Sequence, residues 1–184
     1  MKLIAVPAQD ALAERIARRE HKGQKRKDGT PYISHPRRMV EKIEKEESSN
    51  DHHIKGSFFW AGWYRNLRAV AWLHDVIEDT DMNLHFLKLS DVEENIIAAV
   101  EAITKRQGEQ YLDYLSRVTA NDLATAVKIY DLRDNLRNLE KGNLRDKYEL
   151  TLWLLENDAQ EGGLQALFRH CTLTEALESR SDEI

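Results

Sequence analysis

Apolar residues recur along most of the chain at intervals of three and four, the spacing of one helix face rather than the alternation of a strand. Over 8–22, Leu12, Ile16 and Ala17 form such a stripe among charged residues. A second helix opens at Pro36 and runs through Met39, Val40 and Ile43. Proline is well placed in a first helical turn, because its missing N–H would have no intrahelical partner there. The polar stretch 48–56 interrupts the rhythm and reads as a linker. Phe58, Phe59, Trp60, Trp63 and Tyr64 then lead into a central helix, on which Leu67, Ala71, His74, Asp75 and Glu78 share one face at helical pitch. Asp91, with Glu94 completing a capping box, predicts a helix carrying Ile96, Ile97, Val100 and Ile103. Further helices are predicted over 109–118, 122–139, 145–156 and 164–177, separated at Gly108, Gly142 and Gly162-Gly163. All three prolines lie within the first 36 residues, and no hairpin signal sits between alternating apolar runs. The expectation is an all-α, compact multi-helix protein.

Composition narrows the picture. A chain of 184 residues, 41% hydrophobic and 32% charged, is long enough for one domain with a substantial core. We therefore expect a single domain over 1–184. The one cysteine, Cys171, excludes an intrachain disulfide and a cysteine-based zinc site. With no secretory signal and no run of membrane-spanning length, the expected location is the cytoplasm and no membrane partner is expected. Residues 1–45 hold 12 Lys and Arg against 6 Asp and Glu, a net +6, so the other 139 residues carry −11 of a total of −5. A mostly acidic body argues against long nucleic acid, while a local basic patch suits a small phosphorylated ligand. The aromatic cluster at 58–64 reads as core packing, a subunit interface in a homo-oligomer, a lid, or a base-stacking surface.

The candidate chemistry centres on 72–80, Trp-Leu-His-Asp-Val-Ile-Glu-Asp-Thr, where His74, Asp75, Glu78 and Asp79 sit among Val70, Leu73, Val76 and Ile77. Ionised carboxylates in such surroundings need a metal, a partner charge or hydrogen bonds. The bland reading is a helix end with solvated acids and a core histidine. Two distant positions count against it: His35, just before Pro36, and Asp131, a second carboxylate between apolar neighbours. Together His35, His74, Asp75 and Asp131 offer two imidazoles and two carboxylates, a nitrogen and oxygen shell suited to manganese, iron or zinc. Four protein ligands leave a six-coordinate ion open positions for water and a phosphate oxygen. Asn135 lies one helical turn past Asp131 on the same face.

Four segments in this order carry a family resemblance: His-Lys-Gly-Gln-Lys-Arg-Lys-Asp-Gly-Thr-Pro-Tyr-Ile-Ser-His-Pro at 21–36, Leu-His-Asp-Val-Ile-Glu-Asp-Thr at 73–80, Ile-Thr-Lys at 103–105, and Val-Lys-Ile-Tyr-Asp-Leu-Arg-Asp-Asn at 127–135. The chain resembles the HD superfamily of metal-dependent phosphohydrolases, and more narrowly the hydrolase domain of RelA/SpoT proteins and the small alarmone hydrolases. The similarity covers roughly 8–140, and helices over 144–180 would pack on that part. The resemblance implies an HD-domain architecture and Mn2+, or another divalent ion such as Fe2+ or Zn2+, on His35, His74, Asp75 and Asp131. It implies removal of the 3′-pyrophosphate from guanosine tetra- or pentaphosphate, with Glu78 and Asp79 positioning or deprotonating the attacking water. Arg26 and Lys27 would contact the nucleotide, and Asn135 would hold its sugar or base. Asp79 also has a structural reading, as a cap for the turn at Thr80.

Two further readings share these residues. One is a related phosphatase acting on a nucleoside monophosphate or on the ribose phosphate of NADPH. The other is a non-catalytic nucleotide- or RNA-binding module, which should have lost a ligand or an acid; all six are present. His21, His52, His53, His85 and His170 read as ordinary surface or core histidines, and Tyr32 and Thr104 as pocket, turn or packing residues.

Overall fold

The computed structural model describes residues 8–49 and 58–161, and among them every regular element is helical. In order these are α1 (Gln9–Glu20), α2 (Ser34–Ser49), α3 (Phe58–Leu73), α4 (Val76–Asp79), α5 (Leu84–Lys88), α6 (Glu94–Ile103), α7 (Tyr111–Thr119), α8 (Asp122–Asn135) and α9 (Asn143–Glu161). The all-α expectation holds. Pairing of β type among the described residues is limited to a single bridge, Lys25 with Pro31. The helix expected over 164–177 and most of the linker at 48–56 lie outside the described residues.

The chain divides at Val127 and Lys128 into two compact units. In the first, α1 and α2 pack on α3, α3 packs on α6, and α6 packs on α5 and α7. The core is supplied by Ala13 and Ile16 of α1, Met39 and Ile43 of α2, Leu67, Val70 and Leu73 of α3, and Ile96 and Val100 of α6. The last turns of α3 are buried almost all round, as a helix touched on several sides requires. In the second unit, Arg133 of α8 bonds Glu156 of α9, and Arg145 of α9 donates to the carbonyls of Leu136 and Leu139 just beyond α8. Those carbonyls follow a helix end and would otherwise lack partners.

Several details depart from the sequence reading, among them the helix expected over 122–139, which ends at Asn135. The second helix begins two residues before Pro36, at Ser34, which keeps the proline within the first turn where no N–H is needed. Asp91 does not cap α6; it takes a left-handed turn, φ 59°. Gln9 of α1 serves that helix entrance instead, accepting from the N–H of Glu93 at 2.9 Å and donating to the carbonyl of Asp91 at 3.1 Å. The short helix α5 has no amphipathic repeat to announce it, being one turn long and opened by the side chain of Asn83, which accepts from the N–H of Phe86.

Candidate metal centre

The central helix is not continuous through the His-Asp pair. α3 ends at Leu73, and Asp75 precedes the single turn α4. The ring of His74 lies with Nδ1 2.9 Å from the carbonyl of Ala71, an acceptor that a continuing helix would offer to the N–H of Asp75. A side chain that takes over this carbonyl favours a break in the ladder at this point. The face shared by Leu67, Ala71, His74, Asp75 and Glu78 is therefore interrupted, and the approach of these groups owes more to the break than to helical pitch.

The same bond fixes the tautomer of His74. A carbonyl only accepts, so Nδ1 carries the hydrogen, and in the neutral ring Nε2 presents its lone pair. That Nε2 lies 2.8 Å from Oδ2 of Asp75. His35, from the first turn of α2, brings its own Nε2 to 3.9 Å from the same oxygen, and its ring meets that of His74 edge-on at 5.1 Å. Both histidines are buried and Asp75 is half-buried, and donor atoms of the three lie within 4.8 Å of one another. Two lone-pair atoms at 2.8 Å repel unless a proton or a cation lies beside them. Bonds of about 2.0–2.2 Å to one ion place neighbouring ligands roughly 3 Å apart and opposite ones roughly 4 Å apart. The separations of 2.8 and 3.9 Å match that pattern. These residues fit a divalent metal.

Tyr32 donates its hydroxyl to Oδ2 of Asp75. Burial first, and then the carboxylates of Asp75 and Asp79, hold the phenol well above the usual tyrosine range, so it stays a donor. The acids of α4 are exposed to solvent. Oε1 of Glu78 accepts from the N–H of Lys105 at 2.5 Å, which ties the acid to the loop between α6 and α7. That loop lines a cavity of about 840 Å³ with Ile77, Glu78, Thr104, Arg106 and Gln110 on its wall, and none of His35, His74 or Asp75 belongs to it. Asp79 offers its backbone carbonyl to Nε2 of Gln24 at 2.8 Å.

Arg26 and Lys27 occupy a tight turn. The N–H of Gly29 bonds the carbonyl of Arg26 at 2.9 Å, with Gly29 at φ 80°, a conformation glycine adopts without strain. Asp28 accepts from both the hydroxyl and the N–H of Thr30, which holds its carboxyl below the usual range and stiffens the turn. Lys27 is exposed and Arg26 half-buried.

Asp131 and Asn135 belong to the second unit. Asp131 is buried; its Oδ2 lies 2.8 Å from Nζ of Lys128 and its Oδ1 accepts from Nδ2 of Asn135 at 2.6 Å. The shared face of Asp131 and Asn135 read from the sequence is thus realised as a direct bond.

No protein-family model matches the chain. It is 26% identical over 179 residues to the guanosine-3′,5′-bis(diphosphate) 3′-pyrophosphohydrolase of Aquifex aeolicus (strain VF5), covering 85% of this chain and 23% of that relative's length. A solved structure, described as a metazoan ortholog of SpoT that hydrolyses ppGpp and acts in starvation responses, superposes with a TM-score of 0.62 at 19% identity. The match covers 91% of this chain and 98% of the other. The chain shares the fold of that SpoT ortholog. Within this fold His35, His74 and Asp75 form the cluster, among the described residues, that could hold a metal ion. No helix among the described residues is long and apolar enough to cross a membrane.

The sequence reading left Tyr32 open between pocket, turn and packing, and missed two further contributors to this site, Gln24 and Lys105. Tyr32 had no spacing that distinguished it from a turn residue. Gln24 acts through an amide 55 positions from its acceptor, and Lys105 through its backbone, to which side-chain patterns are blind.

Proposed function

We propose that the protein is a divalent-metal-dependent phosphohydrolase of phosphorylated nucleotides that removes the 3′-pyrophosphate of guanosine tetra- or pentaphosphate. The observation that carries this reading is the convergence of two buried imidazole nitrogens on one carboxylate oxygen within the RelA/SpoT-type fold. Mn2+ is the proposed ion, with Fe2+ and Zn2+ as chemically similar occupants, held by His35, His74, Asp75 and Asp131. When bound, it polarises a phosphoryl oxygen as a Lewis acid. Asp131 and Asn135 enter this reading from the sequence motif.

Glu78 and Asp79 orient the attacking water and take its proton. Glu78 suits that task because the N–H of Lys105 pins one carboxylate oxygen, so the other keeps a fixed direction. Arg26 and Lys27 receive the substrate's phosphates and base, and as cations they offset charge that accumulates on the departing diphosphate. Asn135 holds the sugar or base.

The test is a panel of guanosine tetraphosphate, NADPH, nucleoside mono- and triphosphates and cyclic dinucleotides, incubated with purified protein and Mn2+ and resolved by chromatography. Pyrophosphate released from guanosine tetraphosphate is the expected result. Phosphate released from NADPH or a monophosphate in its place would overturn the substrate, and no turnover of any member would overturn the enzyme.

A further inference from the structure

The short segment that carries the site acids has little support of its own. α4 is a single turn in which the N–H of Asp79 bonds the carbonyl of Asp75 at 2.9 Å and the hydroxyl of Thr80 bonds that of Val76 at 2.6 Å, and a lone turn does not hold its shape in water. The loop between α1 and α2 grips both ends of that turn. At one end the hydroxyl of Tyr32 bonds Asp75, and at the other Nε2 of Gln24 bonds the carbonyl of Asp79 at 2.8 Å. Gln24 and Tyr32 are themselves joined, since the N–H of Tyr32 donates to the carbonyl of Gln24 at 3.0 Å.

His21 completes the arrangement. With Nε2 of Gln24 committed as a donor, the amide oxygen faces Nδ1 of His21 at 2.7 Å and must accept. The reversed amide would set two oxygens against each other at 2.8 Å. Nδ1 of His21 therefore carries the hydrogen. Its Nε2 is buried without a hydrogen-bond partner among the described residues, which suits a bare lone pair and penalises an N–H there by an unsatisfied donor. The ring stacks on Tyr32 at 4.5 Å and 23°, so one imidazole sets both the amide of Gln24 and the plane of the phenol.

We propose that His21, Gln24 and Tyr32 are positioning residues, a clamp that fixes Asp75 for metal binding and Glu78 and Asp79 for water activation, with His21 donating from Nδ1 to Gln24. The assignment of purpose rests on the proposed function. The clamp itself is tested without it.

Imidazole 15N shifts of the wild-type protein at neutral pH are expected to show His21 protonated on Nδ1. Tyr32→Phe keeps the stack and removes the bond to Asp75; Mn2+ affinity is expected to fall about tenfold, the low end for the loss of an outer-shell partner. Gln24→Met is expected to leave Mn2+ affinity and KM near wild type, to lower kcat about tenfold, and to speed hydrogen exchange at the Asp79 amide by about tenfold. His21→Asn, which keeps a donor towards Gln24, is expected to retain slow exchange there, whereas His21→Phe is not. Unchanged Mn2+ affinity in Tyr32→Phe, unchanged Asp79 exchange in Gln24→Met, or His21 protonated on Nε2 alone would each overturn the clamp. A wild-type protein that bound no Mn2+ would contradict the proposed function instead, and the tautomer and exchange measurements would still decide the clamp.

Discussion

Replacing Arg117 by methionine removes one guanidinium that closes most of a helix end. The last four carbonyls of an α-helix have no intrahelical donors. At the end of α6, Arg117 donates to those of Glu101, Ala102 and Thr104 at 2.5, 2.8 and 2.9 Å, and the hydroxyl of Tyr114 serves the remaining one, Ile103, at 2.9 Å. The same guanidinium grips both oxygens of Glu109. Bonds from a charged donor contribute about 1.5 kcal/mol each, and breaking a fully buried ion pair costs about 3–5 kcal/mol. Arg117 and Glu109 remain 19% and 12% exposed, so water replaces part of what is lost. The expected cost is about 3 kcal/mol. With a urea dependence of about 2 kcal/mol per molar, tryptophan fluorescence should show the unfolding midpoint fall by about 1.5 M. Arg117→Lys keeps the charge without the planar fork and should lie between. Because Lys105 follows the capped carbonyls and holds Glu78, the methionine variant should also lose kcat at temperatures where it is still folded. A midpoint within about 0.3 M of wild type would refute the capping argument.

The pH dependence of the same pair follows from its sign. Bonds from Arg117 chiefly hold the Glu109 carboxyl below its ordinary range, so the stabilisation is complete above the unfolded value of about 4.3 and is lost as pH falls through the lowered folded value. The stability gap between wild type and Arg117→Met should be widest near neutrality and shrink below about pH 4; a gap that grew with acid would contradict this. Asp75→Ala should abolish both Mn2+ binding and turnover, whereas Glu78→Gln should bind Mn2+ and lose turnover; full activity in Glu78→Gln would remove that residue from the mechanism. Ile96→Ala, at a fully buried position facing the core, should cost about 3 kcal/mol in a urea titration, and a loss under 1 kcal/mol would mean the site collapses without a cavity.

Much of the scaffold was legible because its signals are local. Ile16 and Ala17, Met39 and Ile43, and Ile96 to Ile103 repeat at helical spacing, and the structure buries them. His74 and Asp75 announced themselves as polar groups in apolar company and His35 by its place before Pro36, and the fold brings the three together. What stayed hidden depends on partners distant in the chain. Gln9 took the cap assigned to Asp91 from 84 positions away, and no periodicity encodes that. The break after Leu73 was invisible because the run up to Ile77 is apolar enough to continue a helix, and a single side-chain bond to a carbonyl opposes it. His21, read as an ordinary surface or core histidine, is buried, and only the orientation of a neighbouring amide reveals its tautomer and its hold on Tyr32.

The central claim is that a single divalent cation is held by His35, His74 and Asp75, with Asp131 as the fourth ligand. Crystals grown with Mn2+ and measured near the manganese edge test it most directly. The account predicts one anomalous peak about 2.0–2.2 Å from the imidazole nitrogens of His35 and His74 and from carboxylate oxygens of Asp75 and Asp131. A peak bound elsewhere, or no peak beside His35 and His74 at saturating Mn2+, would contradict it.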